Sequence, residues 1–399
     1  MDGWAIRLLK NFPTRADHDP AILELKNRSR DYPAIRAAAC NLLSGRHINE
    51  ILAASYDRLI VDEYQDCNLA QHSMVVGAAE ALDTCVLGDP MQAIFDFAGE
   101  LANWNTHVHV QFPAAVELTT PWRWNNAGTD RFGRWLLSAR RQLLAGEKID
   151  LRGAPDEVTY VHLDGTEDMK RQLTAASVTS PVDGGGVLIV GNSKNPRSQR
   201  DFAARIPGAI AVENVDLSDF VEFARKFDVN AVDALVNLAE FAGTIMTNVG
   251  APNLIARVEA LQKGTARKEP SDVERRALAF CNRPSHQTAI DLLVAISAEG
   301  GTRTHRPAVM RACKEALRQS DGSDGNTFYD AAIRIREQNR LQGRALPRRA
   351  VGSTLLLKGL EADVAVILDA ADHKPRHLYV AMTRGARRLI VCARKPMIG

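Results

Sequence analysis

The string Leu59-Ile-Val-Asp62-Glu63-Tyr-Gln65-Asp66 sets two adjacent carboxylates after a short apolar run. In α/β proteins the carboxyl ends of strands face the ligand crevice. A carboxylate there can hold Mg²⁺ through its waters. Its neighbour can orient and deprotonate a water for attack on a phosphoryl group. A bare apolar run ending in two acids is more often a solvated strand end, but the whole string is far more specific. A second string, Val86-Leu-Gly88-Asp89-Pro-Met-Gln92-Ala-Ile-Phe95-Asp-Phe97, again ends a run in Gly-Asp. The neutral amide of Gln92 can sense a γ-phosphate by hydrogen bonding without competing for the metal. Phe95 and Phe97 can offer a stacking face to a base, although core packing is the better account of the two rings taken alone.

Three further strings carry chemistry. In Pro121-Trp122-Arg123-Trp124 an arginine stands between two indoles, where it can reach a phosphate while Trp122 stacks on a flat ring. Taken alone, this string reads better as core tryptophans. Lys358-Gly-Leu-Glu361 precedes the apolar run Val364 to Leu368, and Thr383-Arg384-Gly-Ala-Arg387 precedes Leu389 to Cys392. An arginine at a domain edge suits the task of stabilising a transferring phosphoryl group.

The elements that must position these residues are legible as short β-branched runs. They are Leu59 to Val61, Cys85 to Leu87, Val116 to Leu118, Val158 to Val161, Val187 to Val190, Val364 to Leu368 and Leu389 to Cys392. Many are followed by Gly or Asp and then by a helical pattern, which predicts buried strands of parallel α/β sheets. Leu69 to Leu82 has helical character. Residues 215–345 repeat apolar positions at helical spacing, as in Phe220, Phe223 and Phe227 or Val232, Leu235, Leu238 and Ala242. Asp183 to Gly186 and Ser320 to Asn326 read as loops.

The chain has 399 residues, 45% hydrophobic and 25% charged, with a formal net charge of +2. This is a globular composition, which excludes disordered and collagen-like classes. Balanced charge argues against a wholesale polyanion binder but leaves room for a local basic groove. No run approaches the roughly 18 apolar residues of a membrane span. The start, MDGWAIRLLKNF, lacks the features of a signal peptide. The six cysteines are scattered without a CxxC pair, which predicts reduced thiols in a cytoplasmic protein rather than a zinc site or a disulfide framework.

Taken in order, the five strings resemble the motifs of the superfamily 1 DNA helicases of the UvrD/Rep type. VDEYQD looks like their Walker B motif, and LGDPMQAIFDFAG like the motif that follows it. PWRWN is similar to their NYR motif, and LKGLEADV and LYVAMTRGARRL to the two C-terminal motifs. The resemblance runs from about residue 50 to 395. It implies two RecA-like domains of the P-loop NTPase type, which close on ATP and step along single-stranded DNA, usually 3′ to 5′. By resemblance, Asp62 coordinates Mg²⁺ through water and Glu63 activates the attacking water. Gln65 and Asp89 line the nucleotide, and Gln65 and Gln92 couple it to the DNA site. Trp122 stacks on adenine, Arg123 and Arg384 reach the γ-phosphate, and Glu361 contacts the ribose. Phe95, Phe97, Ser353 and Lys358 face DNA. The expected division is a partial first domain at 1–115, with a helical lead-in at 1–57 and the two motifs at 58–100. A second RecA-like domain spans 116–214 and 346–399, and a helical accessory subdomain spans 215–345.

The sequence also departs from that family. No GxxxxGK[ST] string occurs, and the dipeptide Gly-Lys is absent from all 399 residues. Asp96 and Ala98 flank Phe97 where the family is often basic, and Leu355 stands where it commonly has His. The expected function is an ATP-dependent DNA helicase or translocase, in DNA repair or recombination, with an N-terminally incomplete first domain. The expected partners are single-stranded DNA or single/double-strand junctions. Two alternatives remain. One is a catalytically inactive helicase-like protein that binds DNA or regulates. The other is one subunit of a composite ATPase completed by a P-loop-bearing partner.

Overall fold

β-branched residues restrict their own side-chain torsions and pack well on a pleated surface, and most of the runs rich in them become strands. The computed structural model describes residues 1–25, 28–95, 100–214, 216–320, 323, 325–341 and 347–399. The chain divides into two units: Met1–Thr120 with Pro375–Tyr379, and Pro121–Lys374 with Val380–Gly399.

In the first unit, helices Asp2–Asn11, Arg28–Ser44, Asn49–Ser55 and Leu69–Ala79 gather around Leu9, Ile35, Leu42, Leu43, Ile48 and Met74. Asn68 starts the last of these with a reciprocal cap. Its Oδ1 accepts from Gln71 N–H at 2.9 Å, and Gln71 Oε1 accepts from Asn68 N–H at 3.1 Å. That cap satisfies donors a helix start leaves orphaned. Strands β1 (Arg58–Val61) and β2 (Asp83–Val86) run parallel, with Ile60 beside Cys85 and Val61 beside Val86. Among the described residues they form a two-stranded sheet. Val61 is buried, whereas Ile60 is 65% exposed.

One expected strand is absent. Residues 113–120 are extended coil, and Val116 and Leu118 are exposed. Alternation supplies a strand's side-chain pattern, but a strand forms only where a neighbour accepts its backbone bonds. Among the described residues, no ladder takes the segment in.

In the second unit, β3 (Ile149–Asp150) pairs antiparallel with β10 (Met397–Ile398). A six-stranded parallel sheet comprises β4 (Val158–His162), β5 (Val187–Gly191), β6 (Ile210–Ala211), β7 (Arg349–Ser353), β8 (Ala362–Ile367) and β9 (Gly385–Ala393). Their order is β4-β9-β8-β5-β7-β6. β5 is buried along its whole length, as parallel strands covered on both faces must be. Val187 and Ile189 pack on one side with Phe202, Val364, Val366 and Ile390. β7 was not legible as a strand, because Arg349-Ala-Val-Gly-Ser353 carries one β-branched residue.

Between β6 and β7 lie helices Ser218–Lys226, Ala234–Ile245, Ala251–Gln262, Asp272–Asn282, His286–Ala298, Pro307–Gln319 and Phe328–Leu341. They share a core that includes Phe220, Leu238, Phe280, Leu293, Cys313 and Ile335. Val232, expected in the helical repeat, precedes its helix and is exposed.

Residues 303–306 tie these helices to the sheet. Ala211 N–H donates to His305 O at 2.9 Å, and His305 N–H to Ile245 O at 3.1 Å. Arg303 donates to the carbonyls of Ala203, Ala204 and Ala209. Arg306 is buried and bonds Glu213 at 2.6 and 2.9 Å and Asp219 at 2.6 Å.

Candidate functional site

The chemistry-bearing residues fall into two sets, one in each unit. In the first unit, β1 ends at Val61 and the chain turns sharply. Leu87 N–H donates to Val61 O at 2.8 Å, and Tyr64 N–H donates back to Leu87 O at 2.9 Å. The exposed carboxylates of Asp62 and Glu63 stand between these two bonds. Asp62 Oδ1 accepts from Glu63 N–H at 2.8 Å. Glu63 has φ of 54°, in the left-handed region. A side chain there costs about 1–2 kcal/mol, and such strain persists only where surrounding bonds over-determine it.

Those bonds come from Gln65, which is buried. Its Nε2 donates to Glu63 Oε2 at 2.7 Å, and its Oε1 accepts from Asp89 N–H at 3.0 Å. One amide therefore joins the two predicted motifs. Gly88 makes the close approach possible. A Cβ at that position would lie 2.6 Å from Gln65 Oε1 and 3.1 Å from Tyr64 N. Asp89 caps the following turn, with Oδ1 accepting from Met91 N–H at 2.9 Å and Oδ2 accepting from Gln92 Nε2 at 3.4 Å. Phe95 is half-buried; Phe97, Asp96 and Ala98 lie outside the described residues.

Tyr64 and His72 went unnoticed in the sequence. Tyr64 is fully buried, and its hydroxyl shares a hydrogen bond with His72 Nδ1 at 2.8 Å. Trp104 and Phe112 pack edge-on against the Tyr64 ring, with centroids 6.4 and 6.0 Å away. Burial pushes the Tyr64 hydroxyl far up, and burial followed by the nearby His107 pushes His72 down. Both shifts favour the neutral forms at pH 7. The available signal was the spacing of Tyr64 and His72 across the Asn68 cap.

Asp62 and Glu63 offer hard oxygen donors that suit Mg²⁺. No group of three or more His, Cys, Asp or Glu among the described residues encloses a metal. The donor set therefore fits an ion that arrives with much of its own shell, such as water and phosphate oxygens.

In the second unit, helix Trp122–Ala127 is stitched to the start of β9. Trp124 Nε1 donates to Gly385 O at 3.0 Å, Thr129 Oγ1 to Ala386 O at 2.7 Å, and Arg387 to Ala127 O at 2.8 Å. Trp122 is 68% exposed, with its ring open for stacking. Arg123 donates to Thr383 O at 2.7 Å and is paired with the Glu361 carboxylate. Arg384 is buried in its own turn. Its Nε donates to Val380 O at 2.9 Å, and its other nitrogens to Leu360 O at 3.1 Å and Thr383 Oγ1 at 3.0 Å.

Ser353 ends β7 and caps helix Thr354–Leu357, its Oγ accepting from Leu356 N–H at 3.3 Å. Lys358 follows that helix and is half-buried. Two shallow cavities of about 650 and 390 Å³ lie elsewhere in this unit, one along helix Asp168–Ala176 and one around Arg257. Neither includes a predicted site residue.

Residues 21–107 match the family described as the UvrD/REP helicase N-terminal domain. The match takes in Asp62, Glu63, Gln65, Asp89 and Gln92, and it supports a UvrD/Rep-like helicase. No curated protein matches the chain. No helix among the described residues is long and apolar enough to cross a membrane.

Proposed function

We propose that this chain is part of a UvrD/Rep-type DNA motor that couples ATP hydrolysis to movement on single-stranded DNA, in repair or recombination. The observation that carries the reading is the Glu63 carboxylate, fixed beyond the end of β1 by Gln65 at 2.7 Å with Asp62 beside it. Glu63 takes the proton of the attacking water, and the Gln65 amide keeps its carboxylate oriented. Asp62 holds Mg²⁺ through water; the bound ion offsets charge that develops on the phosphoryl oxygens. Gln65 and Gln92 pass the state of the nucleotide to the rest of the first unit. Trp122 stacks on adenine, Glu361 meets the ribose, and Arg123 and Arg384 stabilise phosphate charge. Phe95, Ser353 and Lys358 contact DNA. The two units are RecA-like, and residues 215–345 are the accessory helices. The β/γ-phosphate grip comes from a P-loop outside these 399 residues, on a partner chain or a further segment.

A second reading, a DNA-binding or regulatory protein without turnover, draws on Arg384. Arg384 is 4% exposed, and its guanidinium donates to three acceptors of its own neighbourhood. ATP hydrolysis with and without single-stranded DNA separates the two, with Glu63→Gln as the control. DNA-stimulated turnover that the control abolishes supports the motor. DNA binding without nucleotide turnover supports the second reading. Turnover untouched by Glu63→Gln removes Glu63 from its role.

A further inference from the structure

Arg123 and Glu361 are both assigned to the nucleotide, yet in this structure they neutralise each other. The backbone around them is held by other bonds. Trp124 Nε1 donates to Gly385 O at 3.0 Å, Thr129 Oγ1 to Ala386 O at 2.7 Å, and Arg123 itself to Thr383 O at 2.7 Å. The Arg123 guanidinium also lies 5.2 Å from the Trp124 ring centroid. The helix therefore keeps its place whether or not the ion pair is made. The pair itself faces water, with the Glu361 side chain 54% exposed and that of Arg123 29%. Exposed ion pairs are among the weakest contacts in a protein. An arginine fork prefers a phosphate that offers two oxygens and more charge.

We infer that Glu361 is an autoinhibitory counter-ion, which occupies Arg123 until an oligophosphate displaces it. The inference rests on the reading of Arg123 as a phosphate ligand and adds a brake to it. With no oligophosphate present, Arg123 is masked. When one arrives, the carboxylate must swing away, and its charge opposes the ligand until it does. A ribose contact by Glu361 and a brake by Glu361 predict opposite signs for its removal. A ligand without a ribose isolates the brake.

The probe is inorganic tripolyphosphate, titrated calorimetrically at low salt into the wild-type chain, Glu361→Gln, Glu361→Asp, Arg123→Gln and the Arg123→Gln/Glu361→Gln double variant. Both positions are partly exposed, and circular dichroism melts check that each variant is folded. The expected result is binding roughly fivefold tighter in Glu361→Gln, the scale of one exposed ion pair removed. Glu361→Asp falls between the two, and the gain is lost in the double variant. Unchanged or weaker binding in Glu361→Gln, alongside measurable wild-type binding that Arg123→Gln reduces, overturns the brake and leaves the phosphate role of Arg123 standing. Binding that Arg123→Gln leaves intact, or no binding by any variant, overturns both.

Discussion

Gln65 and Glu63 are joined by a 2.7 Å hydrogen bond from the amide Nε2 to the carboxylate Oε2. The other end of the same amide accepts from Asp89 N–H at 3.0 Å. A rotation of Gln65 therefore cannot release one partner without disturbing the other. The same amide thus links the carboxylate turn after β1 to the Gly88–Asp89 turn after β2.

Glu63 sits at φ 54°, and the strain is measurable through a pair of substitutions. Glu63→Ala and Glu63→Gly both delete the carboxylate and its bond to Gln65. Only glycine adopts the left-handed conformation without a Cβ penalty. Urea unfolding should find the glycine variant more stable than the alanine variant by about 1 kcal/mol. Equal midpoints would mean that the turn stores no strain.

Arg384 and Trp122 both belong to predicted motifs but differ in setting. Arg384→Ala leaves the carbonyls of Val380 and Leu360 without their donor in a buried turn. It should lower stability by about 2–3 kcal/mol, the scale of buried groups left unsatisfied. Trp122→Ala removes an exposed ring and should stay within about 0.5 kcal/mol. Thermal melts of the two variants make the comparison, and a silent Arg384→Ala would refute the structural part of its role.

The Arg306–Glu213 pair has side chains 1% and 3% exposed. Replacing Glu213 by Ala removes two bonds from a buried guanidinium and leaves Asp219 as its remaining carboxylate, at a cost of about 2–3 kcal/mol, below the roughly 3–5 kcal/mol of a buried charge left wholly unpaired. The Arg46–Glu80 pair, at 72% and 38% exposed, should yield less than about 1 kcal/mol when Glu80 is replaced by Ala. Denaturant titration of both variants tests whether burial, rather than the presence of an ion pair, decides the effect.

His305 gives unit two an acid-sensitive joint. Burial, helped by Arg306, Arg303 and Arg200 and opposed by Asp201, pushes its imidazole down from 6.5 to about 4. The folded state thus resists a proton that the unfolded state accepts. Stability is whole above pH 6.5 and falls as pH drops through about 4. His305→Gln has no proton to gain, so its urea midpoint should change less between pH 7 and pH 4.5 than that of the wild type. An equal loss in both proteins would place the acid sensitivity elsewhere.

The strings around Asp62, Asp89 and Arg384 were legible because each follows or precedes a β-branched run whose strand character is local. β1, β2, β5, β8 and β9 all arise where such runs occur. Val116–Leu118 shows the limit, since its pattern suits a strand but strand formation depends on a neighbour that no local pattern encodes. Arg303 and Arg306 were illegible for a related reason. A lone arginine reads as surface, and Glu213 is 93 residues from Arg306 in sequence. The identity of Arg384 was likewise visible, but its burial depends on Leu360 O, 24 residues away.

The two-stranded sheet of the first unit has a consequence for the chain in solution. Ile60 and Cys85 lie side by side on its outer face, both exposed. Such a face is hydrophobic yet flanked by Arg58 and Asp83 at the strand starts. Excluded salts such as sulfate strengthen apolar contact and screen the flanking charges. Ile60→Lys should therefore raise the sulfate concentration at which light scattering first detects association. An unchanged threshold would place the adhesive surface at other exposed apolar residues, such as Val116 and Leu118.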